Sequence, residues 1–395
     1  MRASKAIAAT VAAVGSILLA AGCGSSSSSS SSSAAAAGGS SAAAGGSGSA
    51  GAANWATCTS VAACGGMSAL VAAAKSEGHL NVITLPADWA NYGTIMKDFT
   101  AKYGIQITDE NPDGTSQDEL NAIQQTKGQS RAPDVVDVGT AFAAKGQTAG
   151  DWADYEVATW SDIPASQKDP NGAYYADYGG YVAIGYDSSR VKTPPTSFKS
   201  LLTGPYKNMV ALNGNPTQAG AAFAGVYAAA LANGGSFSDI APGVSYFKQL
   251  KQAGNFVPVT GSASTMESGQ TPILIWWDYL LASEVGASYK NLKIVIPSDA
   301  RYAAYYDQAV SKYAPDPAAA RLWEEYLYSA EGQNLWLEGG TRPVELPSLV
   351  AAGTEDKTAY ATLPAVPAGG VTFPSITQQN AAESVVSQQW PSVLS

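Results

Sequence analysis

A short apolar run reads Asp134-Val135-Val136-Asp137-Val138-Gly139-Thr140 and is followed by an alanine-rich segment. The valines predict a buried strand, and the residues after Thr140 predict a helix. Two similar units of strand and helix precede this run, with strands predicted over residues 80–85 and 105–107. Strands that alternate with helices form parallel sheets with helices on both faces, so this half of the chain predicts an α/β fold.

A second α/β unit is predicted farther along the chain. Apolar runs over residues 181–186, 209–212, 273–276 and 292–296 have the composition of buried strands, and helical segments separate them. The chain then returns to a strand around residues 309–310 and ends in helices. We therefore expect two α/β lobes.

The start of the chain has the three parts of a secretory signal peptide, which we assign to residues 1–22. Arg2 and Lys5 form the charged part, and a short apolar run ends in small residues before Cys23. Cys23 resembles the lipid-acceptor cysteine of a bacterial lipoprotein; an ordinary cleaved signal with a chance cysteine is the alternative. On the lipoprotein interpretation, palmitate or similar acyl chains anchor the protein to the extracytoplasmic face of the cell membrane.

The segment over residues 23–54 holds the lipidated cysteine and a run of serine, alanine and glycine. Such a composition cannot bury a core, so we expect a flexible tether. The formal net charge of the 395-residue chain is −10. No cluster of basic residues stands out in the sequence. An acidic chain of this kind makes nucleic acid a poor partner.

Cys58 and Cys64 are the remaining cysteines, six positions apart. In an oxidising compartment this spacing predicts a small disulfide loop. His79 is the only histidine of the sequence. A zinc site or a histidine-based catalytic triad would depend on that one residue, so the sequence favours a binding protein over an enzyme and predicts no cofactor.

Several segments of the chain together resemble the extracellular solute-binding proteins of bacterial ABC importers. The type is the two-lobed one whose members carry polyamines, iron, thiamine or phosphonates. The resemblance rests on Phe99-Thr-Ala-Lys102-Tyr-Gly104, Pro133-Asp134-Val-Val-Asp137-Val, Tyr181-Val-Ala-Ile-Gly-Tyr186-Asp187, Trp323-Glu-Glu-Tyr-Leu327 and Ser329-Ala-Glu331-Gly-Gln333. The resemblance covers about residues 70–345. It depends on the order of these segments along the chain more than on any single motif.

The resemblance implies a type II periplasmic-binding-protein-like fold with two mixed or parallel sheets and two crossover strands. One lobe would come from residues 55–183, the other from residues 184–301, and residues 302–395 would return to the first lobe and add C-terminal helices. A ligand would lie between the lobes, and closure around it would present the protein, as a monomer, to an ABC permease.

Aromatic and acidic residues at strand ends are the first candidates for ligand contacts. Trp276, Trp277 and Asp278 follow one strand, and indole faces beside a carboxylate suit a cation. Asp88, Trp89 and Tyr92 follow the first strand in a similar arrangement. Packing of the indoles in the core and capping of a helix by Asp88 are the alternatives.

Three further groups of residues are candidates, each with a structural alternative. Asn215 and Thr217, with Asn213, precede a helix whose free N–H groups could bind a carboxylate or phosphonate; a plain turn is the alternative. Asp137 and Thr140 follow the third strand, where capping is the alternative, and Tyr181 opens the first crossover strand. Tyr305 and Asp307, with Tyr306 between them, make ferric iron a candidate ligand.

Acidic residues after the second strand have the spacing of the first half of a calcium loop. Asp109, Asn111 and Asp113 occupy the expected positions, but Leu120 stands where a bidentate glutamate is needed. A bare turn is therefore the better interpretation.

We interpret the protein as a solute-binding lipoprotein that captures a small, polar, amine-bearing solute and delivers it to a membrane permease. Ferric or phosphonate binding on the same fold is one alternative. An extracytoplasmic enzyme of cell-wall metabolism and a ligand-sensing lipoprotein are two others.

Overall fold

The computed structural model describes residues 53–286, 289–364 and 373–395. The predicted signal peptide, the predicted lipid-acceptor Cys23 and nearly all of the predicted tether lie outside the described residues. In the described ranges, no helix has the length and apolar character needed to cross a membrane.

Strands alternate with helices along most of the described chain, which confirms the predicted α/β class. The strands are β1 (His79–Ile83), β2 (Gln106–Glu110), β3 (Val135–Gly139), β4 (Trp152–Ala153), β5 (Tyr175–Asp187), β6 (Val210–Leu212), β7 (Ile273–Trp277), β8 (Leu292–Val295), β9 (Ala303–Ser311) and β10 (Arg342–Pro343). The helices are α1 (Met67–Glu77), α2 (Tyr92–Tyr103), α3 (Ser116–Thr126), α4 (Thr140–Ala149), α5 (Phe198–Thr203), α6 (Gly220–Ala232), α7 (Ala241–Gln252), α8 (Ala263–Ser268), α9 (Asp278–Leu280), α10 (Pro317–Leu327), α11 (Ala330–Glu338), α12 (Leu346–Ala352), α13 (Lys357–Thr362), α14 (Ile376–Gln389) and α15 (Pro391–Leu394).

The long strand β5 joins two groups of strands, which we call the first and second lobes. Its first part pairs antiparallel with β9 and β10, and its second part pairs antiparallel with β7 and β8. We assign β1 to β4, β9 and β10 to the first lobe, and β6 to β8 to the second. The chain therefore passes from one lobe to the other along β5 and returns between β8 and β9, as the predicted pair of crossings requires.

The sheets are mixed rather than wholly parallel. β1 and β2 pair in parallel, as do β6 and β7, but β3 pairs antiparallel with the returning strand β9. The start of β3 stays beside β1 because the Asp134 N–H donates to the Asn81 carbonyl over 2.8 Å. The first three strands alone could not reveal this, since β9 is far away in the sequence.

Glycines allow neighbouring chain segments to approach β5 where it passes between the lobes. A Cβ atom on Gly179 would lie 2.1 Å from the Ala304 carbonyl oxygen, and one on Gly180 would lie 2.4 Å from the Asp278 carboxyl group. Larger side chains at these positions would separate β5 from β9 and from the end of β7.

The C-terminal helices α14 and α15 contact both lobes. Lys145 on α4 pairs with Glu383 on α14 over 2.8 Å. Trp390, between the two helices, packs on Phe247 of α7 with ring centroids 5.5 Å apart. The C-terminal helices, which the prediction placed after the return to the first lobe, therefore contact both lobes.

A disulfide closes the loop between Cys58 and Cys64, whose Cα atoms lie 6.0 Å apart. The guanidinium of Arg321 on α10 donates to the Cys58 carbonyl over 2.9 Å. This contact fastens the N-terminal loop to the first lobe.

Candidate functional site

A cavity of about 590 Å³ lies where loops of the two lobes meet. Its walls come from β3, from the end of β7 and from segments that follow β1, β2, β6 and β7. Segments after strand ends are where α/β sheets commonly bind ligands. The residues that line it and carry polar, charged or aromatic side chains are Thr84, Asp88, Trp89, Asp113, Thr115, Ser116, Glu119 and Asp137 from the first lobe, Asn213, Asn215, Gln218, Thr260, Ser262, Ser264, Trp276 and Glu284 from the second lobe, and Tyr306 from β9.

Three aromatic side chains come together in the cavity. The Trp89 ring centroid lies 6.2 Å from that of Trp276 and 5.7 Å from that of Tyr306. The Trp89 indole N–H donates to the Tyr178 hydroxyl over 2.7 Å, which fixes its orientation. The three rings are contributed by the first lobe, the second lobe and β9, so the faces they offer to a ligand depend on the position of both lobes.

Asp137, in the middle of β3, is the carboxyl group on which buried hydrogen bonds converge. Its Oδ2 atom accepts from the hydroxyls of Tyr92 and Tyr178, each over 2.8 Å. Its Oδ1 atom is buried and has no partner among the described residues. Burial raises the pKa of Asp137 to about 6, and the two tyrosine hydroxyls limit the rise because they stabilise the ionised form. The neighbouring Asp177 carboxyl group also limits the rise. The buried Oδ1 atom receives no N–H or tyrosine hydroxyl donor from the described residues, which makes it the candidate atom for a ligand contact.

Two further carboxyl groups of the cavity hold their protons more firmly. Glu119 on α3 is 1% exposed and accepts from the Asp137 N–H over 3.1 Å. Its burial, with the nearby Asp137 carboxylate, raises its pKa well above the usual value. Burial raises the pKa of Glu284 to about 8, and the carboxylates of Asp88 and Asp113 add to the rise. Glu284 therefore faces acidic groups of the opposite lobe and is protonated at neutral pH.

The second-lobe wall carries hydrogen-bond donors. α6 begins at Gly220 in this wall, and no side chain caps its first turn. The Trp276 indole is 2% exposed, and its Nε1 atom has no partner among the described residues. The hydroxyl of Ser262 is already engaged, because it accepts from the Thr265 N–H as the cap of α8.

Five of the residues predicted to contact a ligand line the cavity, and others hold them in place. Those in the lining are Asp88, Trp89, Asp137, Asn215 and Trp276. Tyr92 is fully buried behind Asp137, and Thr217 donates to the Asn215 side chain over 3.0 Å. Asn215 therefore stabilises a turn, as the structural alternative predicted. Because it also lines the cavity, it is still a candidate for ligand contact.

Asp278 and Trp277, also predicted to contact a ligand, lie outside the lining. The Asp278 carboxyl accepts from the Tyr181 N–H over 2.8 Å and lies 3.6 Å from Arg342. Arg342 also packs over the Tyr181 ring, 4.6 Å from its centroid. Side chains alternate along β7, so Trp276 faces the cavity and Trp277 does not. Asp278 and Tyr181 therefore join the ends of strands where the lobes meet.

Tyr305 and Tyr306, which were considered as ligands for ferric iron, do not both line the cavity. Tyr306 lines it, whereas Tyr305 stacks on Phe373 with ring centroids 5.2 Å apart, because neighbouring residues of β9 face opposite sides. Burial raises the pKa of Tyr306, which disfavours the phenolate that would bind ferric iron. The Thr140 hydroxyl hydrogen-bonds to Asp307, which is 2% exposed and outside the lining. Within the described ranges, no three acidic, histidine or cysteine side chains form a group that could hold a metal ion.

Sequence reasoning missed several residues of the cavity. Glu119 lies in the first turn of α3, where an acidic residue reads as a favourable charge at a helix start. Glu284 lies in a π-helical turn after α9 that the sequence pattern did not indicate. Asp113 was considered only as part of a calcium loop or of a bare turn. Their common signal is a position shortly after a strand end, which is too general to select them.

Comparisons with known proteins agree with this fold. Residues 130–366 match the model of the family described as bacterial extracellular solute-binding protein, so the chain belongs to that family. Similar solved structures include the periplasmic binding protein P5PA, with a TM-score of 0.64 and 16% identity over 80% of this chain and 100% of that one. No curated protein matches the chain.

Two other solved structures have ligands in their descriptions. The fructose-6-phosphate-bound periplasmic binding protein AfuA from Actinobacillus pleuropneumoniae has a TM-score of 0.64 and 17% identity, over 80% of this chain and 97% of that one. Iron-bound HitA from Pseudomonas aeruginosa has a TM-score of 0.59 and 17% identity, over 80% of this chain and 99% of that one. At such identities the likeness shows the fold alone.

The predicted resemblance, the type II periplasmic-binding-protein fold and the solute-binding function are thereby confirmed. A member of an extracellular solute-binding family works outside the cytoplasm, and such families consist of binding proteins.

Proposed function

We propose that the protein captures a small amine-bearing solute in the cavity and delivers it unaltered to an ABC permease in the membrane. The observation that carries the proposal is the excess of acidic over basic side chains in the lining. Asp88, Asp113, Glu119, Asp137 and Glu284 all line the cavity, and none of the described lining residues is a lysine or arginine.

A cation would relieve an unfavourable arrangement in this cavity. Buried carboxyl groups without a positive partner either take up protons or cost free energy to ionise. An ammonium group beside the Asp137 Oδ1 atom would give that oxygen the hydrogen bond it lacks and would favour the ionised form. The rings of Trp89, Trp276 and Tyr306 would surround the cation with aromatic faces and edges.

Delivery to a permease and anchoring by Cys23 complete the proposal. Membership in a solute-binding family supports a transport role, and the signal sequence with its serine-rich tether supports a lipid anchor at the outer face of the membrane. We place no cofactor and no catalytic step in the cavity, and the protein acts as a monomer.

Titration calorimetry with butylamine and other small primary amines tests the ligand class. We expect Asp137→Asn to weaken binding by about tenfold or more, because a hydrogen bond to a charged group is lost. Asp154→Asn makes the same change at an exposed position and should leave binding within about twofold. Mass spectrometry of the released ligand should recover it intact.

Other ligands in the same titrations can overturn the proposal. If ferric salts bind with a visible charge-transfer band, or anions without an amine bind more tightly than any amine, the cavity does not select amines. Equal affinities of the native protein and Asp137→Asn for every amine would remove the role assigned to Asp137.

A further inference from the structure

The two walls of the cavity have opposite character. Four of its five acidic residues, Asp88, Asp113, Glu119 and Asp137, are on the first-lobe wall. The second-lobe wall has Glu284 alone, and burial raises the pKa of Glu284 to about 8, so that its carboxyl group is a donor at neutral pH. A cation therefore satisfies one wall of the cavity and leaves the other without a partner.

The start of α6 is the strongest donor on the second-lobe wall. α6 has 13 residues, Ala219 at its N-cap makes no side-chain hydrogen bond to the first turn, and Ala219, Gly220 and Ala221 line the cavity. Free N–H groups and the helix dipole at such a position favour an anionic group.

The indole of Trp276 provides independent support for an acceptor at this wall. It is 2% exposed and lines the cavity, yet its Nε1 atom has no partner among the described residues. An indole N–H can only donate, and a buried donor without an acceptor is costly. β6 and β7 are parallel neighbours, so Trp276 near the end of β7 lies beside the segment that leads from β6 to α6.

The cation and anion positions are close together. The backbones of β3 and α6 touch, because a Cβ atom on Gly220 would lie 3.1 Å from the Gly139 Cα atom. Asp137 is two residues before Gly139 on the same strand, so its side chain is on the same face of the sheet. A ligand that reaches both positions needs only a short chain between its two charged groups.

We infer that the cavity selects a short zwitterion, whose ammonium group binds the first lobe at Asp137 and whose carboxylate or phosphonate binds the second lobe at the start of α6 and Trp276. The inference rests on the proposed function, because it keeps the amine and adds a second charged group. A molecule with both groups is attracted to both lobes, whereas an amine alone is attracted to one.

A series of matched probes tests the inference on the unmodified protein. The amines 4-aminobutyrate, butane-1,4-diamine and butylamine share a four-carbon chain and differ at one end, and 3-aminopropylphosphonate replaces the carboxylate. Glycine and 3-aminopropanoate vary the spacing. We expect the tightest zwitterion to bind at least about tenfold more tightly than butylamine in titration calorimetry. The carboxylate and phosphonate probes identify the preferred anion.

The outcomes separate this inference from the proposed function. If butylamine or butane-1,4-diamine binds as tightly as every zwitterion, the amine specificity stands and the anion position is wrong. If no amine-bearing probe binds, both the proposed function and the inference fail.

Substitution of Trp276 tests the donor directly. Trp276→Phe keeps an aromatic ring and removes the N–H, so it should weaken the tightest zwitterion by about tenfold and butylamine by less than about twofold. Trp277→Phe is the matched control, since that indole lies outside the lining, and it should leave both affinities within about twofold. Equal weakening of both ligands by Trp276→Phe would show that Trp276 acts through packing alone and would overturn its assigned role.

Discussion

Asp137 shows how a single side chain depends on residues that are far apart in the sequence. Its Oδ2 atom accepts from the tyrosine hydroxyls of α2 and β5, and the Gln308 side chain on β9 donates to the Tyr92 hydroxyl over 3.0 Å. These contacts engage Oδ2 and leave the buried Oδ1 atom without a donor among the described residues, so Oδ1 is the atom that we propose a ligand meets.

The pKa of Asp137 predicts how binding depends on pH. Its pKa is raised to about 6 by burial, so the ionised fraction falls as pH decreases through 6, and the affinity for an amine should fall with it. We expect a loss of about tenfold between pH 7.5 and pH 5. Titration calorimetry in buffers of matched ionic strength measures this change.

The contribution of Asp137 to the stability of the unliganded protein depends on pH in the direction opposite to the amine affinity. A carboxyl group whose folded-state pKa is raised contributes stability at low pH, and that contribution is lost as pH rises through about 6.

An amine affinity that stays constant from pH 7.5 to pH 5, or that increases on acidification, would contradict the assignment of Asp137 as the ammonium partner.

At the scale of single residues, the sequence identified side-chain types better than directions. Asp88, Trp89, Asp137 and Trp276 were selected because of their positions at strand ends, and Asn215 because it precedes a helix. All five residues line the cavity. Asp278 was selected by the same rule, but the main-chain N–H of Tyr181 and the Arg342 guanidinium turn its carboxyl group toward the strands. The partners that decided its direction come from other parts of the chain, so local pattern could not predict it.

At the scale of elements, β10 fastens the end of β7 to β5. The two-residue strand pairs with β5 and carries Arg342, whose guanidinium lies 3.6 Å from the carboxyl group of Asp278 at the start of α9. Both side chains are largely buried. A small element from late in the chain thus provides the positive charge that the Asp278 carboxyl group needs.

Removal of this charge should destabilise the protein. We expect Arg342→Met to lower the free energy of unfolding by about 2–4 kcal/mol, because it leaves the Asp278 carboxyl group buried without a positive partner. Denaturant unfolding measures the change. The double variant Arg342→Met with Asp278→Asn removes both charges and should recover part of the loss.

The double variant also provides the contrary result. If Arg342→Met alone changes the free energy of unfolding by less than about 0.5 kcal/mol, the two side chains do not act as a pair. The same conclusion follows if the destabilisation caused by Asp278→Asn alone adds in full to that of Arg342→Met in the double variant.

The boundaries of elements followed from local signals where these were strong. Gly78 and Gly104 end α1 and α2 in the left-handed conformation that glycine favours. The π-helical turn over Leu281–Val285 has no such signal, so the position of Glu284 could not be foreseen.

At the scale of the whole molecule, two lobes hold a cavity whose lining is made by both. The backbone of α3 in the first lobe reaches the segment before α6 in the second, where the Gln117 N–H donates to the Gln218 carbonyl over 3.2 Å. The alternation of strands and helices predicted the two lobes, but the antiparallel pairing of β3 with β9 depends on contacts between distant parts of the sequence.

The most direct test of the proposed function is a crystal structure of the protein with the amine that binds most tightly in the titrations. We predict that the amine nitrogen lies within about 3.2 Å of the Asp137 Oδ1 atom, between the rings of Trp89 and Trp276. An amine bound outside the cavity, or a metal ion or anion in contact with that oxygen, would contradict the proposal that this cavity captures an amine-bearing solute.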